Sequence, residues 1–203
     1  MKPVVIGLTG QTGAGKTTVC KVFEEKGFGI INADLVSRKV VEKGSNCLGE
    51  LAAAFGNGIL LPDGTLHRKK LGSIVFTHRE KLTLLNSIIY PYITEEIKRE
   101  IAALAAEGRE YILLDAPTLF ESGTDSLCQV IVAVTAEESL RLERIMRRDG
   151  ISREMAKARM ASQHSEEFFG NNSDFVISNS GDVIYLYKQA EKTVEKIING
   201  GML

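Results

Sequence analysis

Residues Gly10 to Thr17 read GQTGAGKT, between the apolar run PVVIGLT and a segment with Val19, Val22 and Phe23 at helical spacing. Few backbones suit such a stretch. Gly10, Gly15, Lys16 and Thr17 match G-x-x-x-x-G-K-[ST], and the flanks supply the strand before and the helix after that this motif requires. The residues with little or no side chain let successive N–H groups curl around phosphate oxygens. A helix starting near Lys16 and ended by Gly27 turns its positive end toward them. Gly10, Gln11, Thr12, Gly13, Ala14, Gly15, Lys16, Thr17 and Thr18 are therefore expected to hold a nucleotide's phosphates. The Lys16 ammonium reaches the outer ones and the Thr17 hydroxyl ligates Mg²⁺.

The rest of the chain carries this loop on an α/β frame. Pro3–Thr9, Phe28–Asn32, Tyr111–Leu114, Val130–Val134 and Phe175–Ile177 read as strands without polar alternation, separated by helical patterns. Such strands form a parallel sheet covered on both faces. A plain βαβ unit needs about 30 residues, yet about 80 lie between Asn32 and Tyr111. The sheet thus carries a helical insertion, either to grip something large or to thicken the core. Within it, residues 71–108 suggest two helices with Pro91 at a joint or kink.

Composition excludes several classes. A net charge of −1 gives no basic field for nucleic acid or an anionic membrane. No apolar stretch approaches the ~20 residues of a membrane span, and no signal peptide is evident. Cys20, Cys47 and Cys128 lack metal spacing and read as free thiols in a reducing cytoplasm. His67, His78 and His164 are scattered and suggest no metal or catalytic role.

Two acids fall at strand carboxyl ends, where ligands of open parallel sheets gather. Asp115 ends YILLD and reads as the magnesium-side carboxylate or as a structural strand-end acid. Asp34 follows the second strand. It either orients an attacking hydroxyl and accepts its proton late, or caps the helix that follows. Arg141, Arg144 and Arg148 form one stripe at i, i+3 and i+7, and Asp149-Gly150 breaks the stretch as a hinged lid would. The other reading is a solvated helix in which Glu137 pairs with Arg141.

The segments IGLTGQTGAGKTTVCKVFEEKGFGIINAD, GTLHRKKLGSIVF, LLDAPTLFE, RIMRRDGISREMAKARMASQ and SDFVISNSG together resemble the dephospho-CoA kinase family. The resemblance runs along nearly the whole chain. It implies a P-loop NTPase-type parallel five-stranded sheet flanked by helices, with a helical substrate-binding insertion and a helical lid. Residues 1–34, 110–136 and 172–203 would form the nucleotide-binding core, 35–109 the acceptor-binding part and 137–171 the lid. The implied reaction moves the γ-phosphoryl of ATP, with Mg²⁺, to the ribose 3′-hydroxyl of dephospho-CoA, the last step of coenzyme A synthesis. Asp34, Lys16, Arg144 and Arg148 fall on the family's catalytic positions, and Asn179 on its residue near adenine. Thr9, Asp34, Arg68, Tyr90, Pro91, Leu119 and Glu121 are expected on the acceptor side. A cytoplasmic monomer, with no nucleic-acid or membrane partner, is the expected state.

The sequence departs from the family pattern in places. Asn32-Ala33-Asp34 replaces Asp-Ala-Asp, His67-Arg68 replaces Asp-Arg, and Tyr90-Pro91 stands where His-Pro is frequent. Thr118 interrupts Pro-Leu-Leu, and Arg141 stands where Gln is frequent. Rival readings are another small-molecule P-loop kinase and a nucleotide switch. The guanine-reading Asn/Thr-Lys-x-Asp motif of the GTP switches does not occur.

Overall fold

The structure is a computed structural model and describes residues 2–179 and 181–200. Met1, Ser180 and residues 201–203 of the expected core segments lie outside the described residues. Strands β1 (Val4–Gly10), β2 (Gly29–Asn32), β3 (Tyr111–Asp115), β4 (Val130–Thr135) and β5 (Phe175–Ser178) form one sheet in the order β2-β3-β1-β4-β5. The pairs β1–β3, β1–β4 and β4–β5 are parallel. In the three central strands the apolar runs are buried on both faces as their lack of alternation predicts: Ile6, Leu8, Leu113, Val132 and Val134 on one face and Val5, Ile112, Leu114 and Ala133 on the other. Burial instead alternates along the edge strands β2 and β5. The residues of the first face pack against Val19, Val22 and Phe23 of α1 (Lys16–Glu25) and Leu186, Ala190 and Val194 of α9 (Val183–Ile198).

Parallel strands place their carboxyl ends at one edge. Leu8 lies opposite Asp115 and Gly10 opposite Val134. The loop after β1 therefore emerges beside the last residue of β3 and the end of β4. After β4 come α6 (Glu138–Asp149), α7 (Arg153–Ala161) and α8 (Glu166–Asn171). Gly150, with φ 64°, ends α6 in the left-handed conformation, as the Asp149-Gly150 break predicts.

The chain divides into two compact units, one of Met1–Ile30 with Leu104–Leu203 and the other Ile31–Ala103. The second holds α2 (Ala33–Lys39), α3 (Asn46–Phe55), α4 (Arg68–Val75) and most of α5 (Arg79–Ala106) around Val41, Cys47, Leu51, Ile59, Leu71 and Val75. Here the structure corrects an expectation. Two helices are present, but they part at Phe76–His78, and α5 continues through Pro91, so Pro91 is not the joint between them. A proline inside a helix costs about 3 kcal/mol through its lost N–H and ring clash. Leu82, Leu85, Ile88 and Ile89 before it and Tyr92 after it all pack on the same cluster. At about 1.5–3 kcal/mol for each fully buried side chain, even their partial burial outweighs the proline. Among the described residues no helix is long and apolar enough to cross a membrane.

Candidate active site

The loop after β1 is shaped from both sides. Gly10 has φ 143°, and a side chain there would put Cβ 2.2 Å from the Val134 carbonyl oxygen. Gly15 has φ 100°, and its Cβ would fall 2.4 Å from Asn179 Nδ2. Only glycine meets both demands. The Gln11 N–H donates to the Val134 carbonyl at 3.1 Å, and the Ala14 N–H closes a turn onto the Gln11 carbonyl at 3.1 Å.

The next three carbonyls turn away from the loop and each receives a side-chain donor. Arg141 Nε donates to the Thr12 carbonyl at 3.0 Å, Arg144 Nη1 to Gly13 at 3.2 Å and Asn179 Nδ2 to Ala14 at 2.7 Å. Holding carbonyls outward leaves amides inward. The N–H groups of Gly13, Gly15, Lys16 and Thr17 have no hydrogen-bond partner among the described residues. Four unpaired donors at the positive end of a helix form a cradle that fits phosphate oxygens.

Beside the cradle, Lys16 Nζ makes an ion pair with Asp115 Oδ1, and both side chains are largely buried. The register that sets Asp115 opposite Leu8 produces this meeting. Thr17 is exposed one residue further on. Burial first, then the Asp115 charge, pushes the Cys20 thiol up to about 11, against the pull of Lys16. Burial likewise pushes Cys47 to about 11 and Cys128 to about 12, so all three free cysteines are thiols at neutral pH. Among the described residues no three His, Cys, Asp or Glu side chains gather as a metal-binding group. Thr17 and Asp115 offer a hydroxyl and a carboxylate oxygen, the kind of ligand Mg²⁺ takes.

Other expected site residues are placed less simply. Arg144 also donates to Asn179 Oδ1 at 3.4 Å, so in this structure both brace the loop. Arg148 turns away and grips its neighbour Asp149 with Nε at 2.7 Å and Nη2 at 2.9 Å. Arg159 also pairs with Asp149, and the two arginines, Arg148 foremost, hold that carboxyl below its usual range. Arg141 pairs neither with Glu137 nor with solvent: it is 6% exposed, and burial pushes its guanidinium down against the opposing pull of Glu138 and Glu166.

Two residues expected on the acceptor side are interior instead. Thr9 is buried in β1 with its hydroxyl 3.4 Å from the Pro117 carbonyl, and Leu119 is fully buried. The Thr9 hydroxyl is thus turned toward the Pro117 segment, and the Leu119 side chain lies beside Gly7 of β1. Glu121 is exposed and lies 3.6 Å from His164 Nε2. His164 in turn stacks on Phe168 at 3.8 Å, a local packing role not visible in the sequence.

The remaining site residues belong to the unit Ile31–Ala103. The cap of α2 is Asn32, whose Oδ1 accepts the Leu35 N–H at 3.0 Å. Asp34 lies exposed in the first turn, so the cap reading of Asp34 is corrected: that role is taken by the residue two positions earlier. His67 caps α4 through Nδ1, 3.4 Å from the Lys70 N–H, and Arg68 is the first, exposed residue of that helix. Tyr90 and Pro91 sit midway along α5.

A glycine-formed anion cradle, its lysine and a strand-end carboxylate share the carboxyl edge of a parallel sheet, with two arginines of α6 at the loop's carbonyls. That combination defines a P-loop kinase. The family model described as dephospho-CoA kinase matches residues 4–184, and the chain belongs to that family. A dephospho-CoA kinase of Bacillus cereus is 40% identical over 193 residues, 95% of this chain and 96% of that protein. The crystal structure of TT1252 from Thermus thermophilus superposes with a TM-score of 0.85 at 29% identity, covering 98% of this chain and 99% of that one. Dephospho-CoA kinase from Campylobacter jejuni superposes with a TM-score of 0.73 at 28% identity, covering 98% of each chain.

Proposed function

We propose that this chain transfers the γ-phosphoryl group of ATP to the ribose 3′-hydroxyl of dephospho-CoA, releasing coenzyme A and ADP, as a monomer in the cytoplasm. The observation that carries the donor half is the set of three outward carbonyls and four N–H groups after β1 that are unpaired among the described residues. Family membership over residues 4–184 supports the acceptor half. The cradle binds the phosphates, and Lys16 exchanges Asp115 for an outer phosphate oxygen, freeing the carboxylate. Thr17 and Asp115 would then hold Mg²⁺, which neutralises charge on the phosphate oxygens when bound.

The acceptor hydroxyl is too weak an acid to ionise beforehand. Asp34 orients it by accepting its hydrogen bond and takes the proton as the new P–O bond forms. Arg68, with Tyr90, Pro91 and Glu121, contributes to acceptor binding. Arg144 and Arg148 meet the charge that spreads over the transferring group. Asn179 keeps the loop in shape beside the adenine.

An acceptor panel tests this reading. ADP release is expected with dephospho-CoA and not with nucleoside monophosphates, shikimate or gluconate at equal concentration. Faster turnover on any of the latter would assign the chain a different acceptor.

Arg148 supplies a further prediction. To act on the transferring group it must leave Asp149, so its contribution belongs to the closed, reacting state. Arg148→Ala is expected to lower kcat at least about tenfold while leaving the Kd for dephospho-CoA within about threefold. Lost acceptor binding with unchanged kcat would move Arg148 into the acceptor site.

A further inference from the structure

Thr12 is the one residue of the phosphate loop held through both of its backbone groups by side chains far along the chain. Its carbonyl receives Arg141 Nε at 3.0 Å, and its N–H donates to Gln163 Oε1 at 2.7 Å. Arg141 comes from α6 and Gln163 from just beyond α7. The segment after β4 thus grips the loop immediately before Gly13, the first residue whose N–H is left unpaired.

The partners differ in what holding the grip costs. Arg141 is buried with its charge partly desolvated, a placement that is unfavourable unless its donors are used. Gln163 is only half-buried, at the rim of a cavity of about 380 Å³ that Gln11, Arg141 and Lys157 also line. Gln163 therefore has room to release the Thr12 N–H, whereas Arg141 is fixed. The Thr12 carbonyl shares its peptide plane with the Gly13 N–H, so losing the Arg141 bond frees that N–H directly, and losing the Gln163 bond frees the adjoining Gln11–Thr12 plane on which it is hinged.

We infer that Arg141 and Gln163 are positioning residues for the donor nucleotide: together they set the Thr12 backbone, and through it the phosphate cradle, from the segment after β4. Neither residue needs to touch ATP. The inference rests on the reading of the loop as the ATP site.

The experiment measures the ATP Kd by calorimetry, the KM for dephospho-CoA and the melting temperature of intact variants. Arg141→Met and Gln163→Met keep an unbranched side chain reaching the ε position, where the bonding atoms sit, but remove the donor and the acceptor. Each is expected to weaken ATP binding about tenfold, the loss of one partly buried hydrogen bond of about 1.4 kcal/mol. The KM for dephospho-CoA should stay within about twofold. The double variant should fall short of the product of the two single effects, because one grip is being broken twice. Arg141→Gln, whose amide still donates, should recover most of the loss.

A lowered melting temperature with an unchanged ATP Kd in both Met variants would overturn the inference and leave two packing residues. Equal loss in Arg141→Gln and Arg141→Met would also overturn it, since charge rather than the hydrogen bond would be acting. If Arg141→Met does not fold, Gln163→Met decides alone, because its half-buried side chain is not part of the core. An unmodified chain that binds no ATP would instead refute the donor-site reading itself.

Discussion

Replacing Asp34 by Asn is expected to lower kcat by about 10²–10⁴, the range of a positioned acid or base, while ATP affinity stays nearly native. The substitution keeps size and most hydrogen-bonding capacity but removes the charge and the basicity. Its meaning is sharpened by the placement of Asn32. Because Asn32 Oδ1 caps α2, Asp34 is free of that duty, and the variant should melt within a degree or two of the parent. Asn32→Ala provides the converse: about 1 kcal/mol of stability lost with the cap, and kcat nearly unchanged. Steady-state kinetics and thermal melts on the two variants separate chemistry from capping. A folded Asp34→Asn protein with kcat within about threefold of the parent would remove Asp34 from the mechanism.

Lys16→Ala should abolish most turnover, by at least the 10²–10³ associated with losing one charge-stabilising donor at a transition state. Stability also changes, because Asp115 is left largely buried without its partner. Breaking such a pair from one side costs up to about 3–5 kcal/mol. Asp115→Asn is the control, since it also dissolves the ion pair but leaves the lysine. Lys16→Ala is expected to lose both ATP affinity and turnover, and Asp115→Asn to keep ATP affinity in the absence of Mg²⁺ and lose turnover in its presence. A folded Lys16→Ala protein, confirmed by circular dichroism, with near-parental turnover would contradict the loop assignment.

What could be read from the sequence was what depends on short spacing. The strand, loop and helix around GQTGAGKT are contiguous, and each demands the next. Apolar strands without alternation announced the parallel sheet, and the Asp149-Gly150 break announced the end of α6. Pro91 as a joint misled because a local helix penalty was weighed without the apolar residues that anchor α5 on both sides of it. Asp34 as a cap misled by two residues, since Asn and Asp serve equally as caps and only backbone conformation distinguishes them.

The grip on Thr12 was not legible at all. Arg141 was visible as part of a stripe, but its partner is 129 residues away, and Gln163 lies 151 residues from Thr12 with no local pattern to mark it. The same holds for the three donors that hold the carbonyls of Thr12, Gly13 and Ala14, which come from two separate stretches of chain. A motif names the loop. The residues that fix its shape become visible only once the sheet has brought β1, β4 and β5 side by side.

The most direct test of the account is a coupled assay of ADP release by the purified chain with ATP and Mg²⁺, run with and without dephospho-CoA, and with the acceptor product identified by mass. The account predicts negligible ADP without acceptor. With it, one coenzyme A should form for each ADP, the added phosphate lying on the ribose 3′ position. ADP release that is independent of dephospho-CoA, or that leaves dephospho-CoA unmodified, would contradict it.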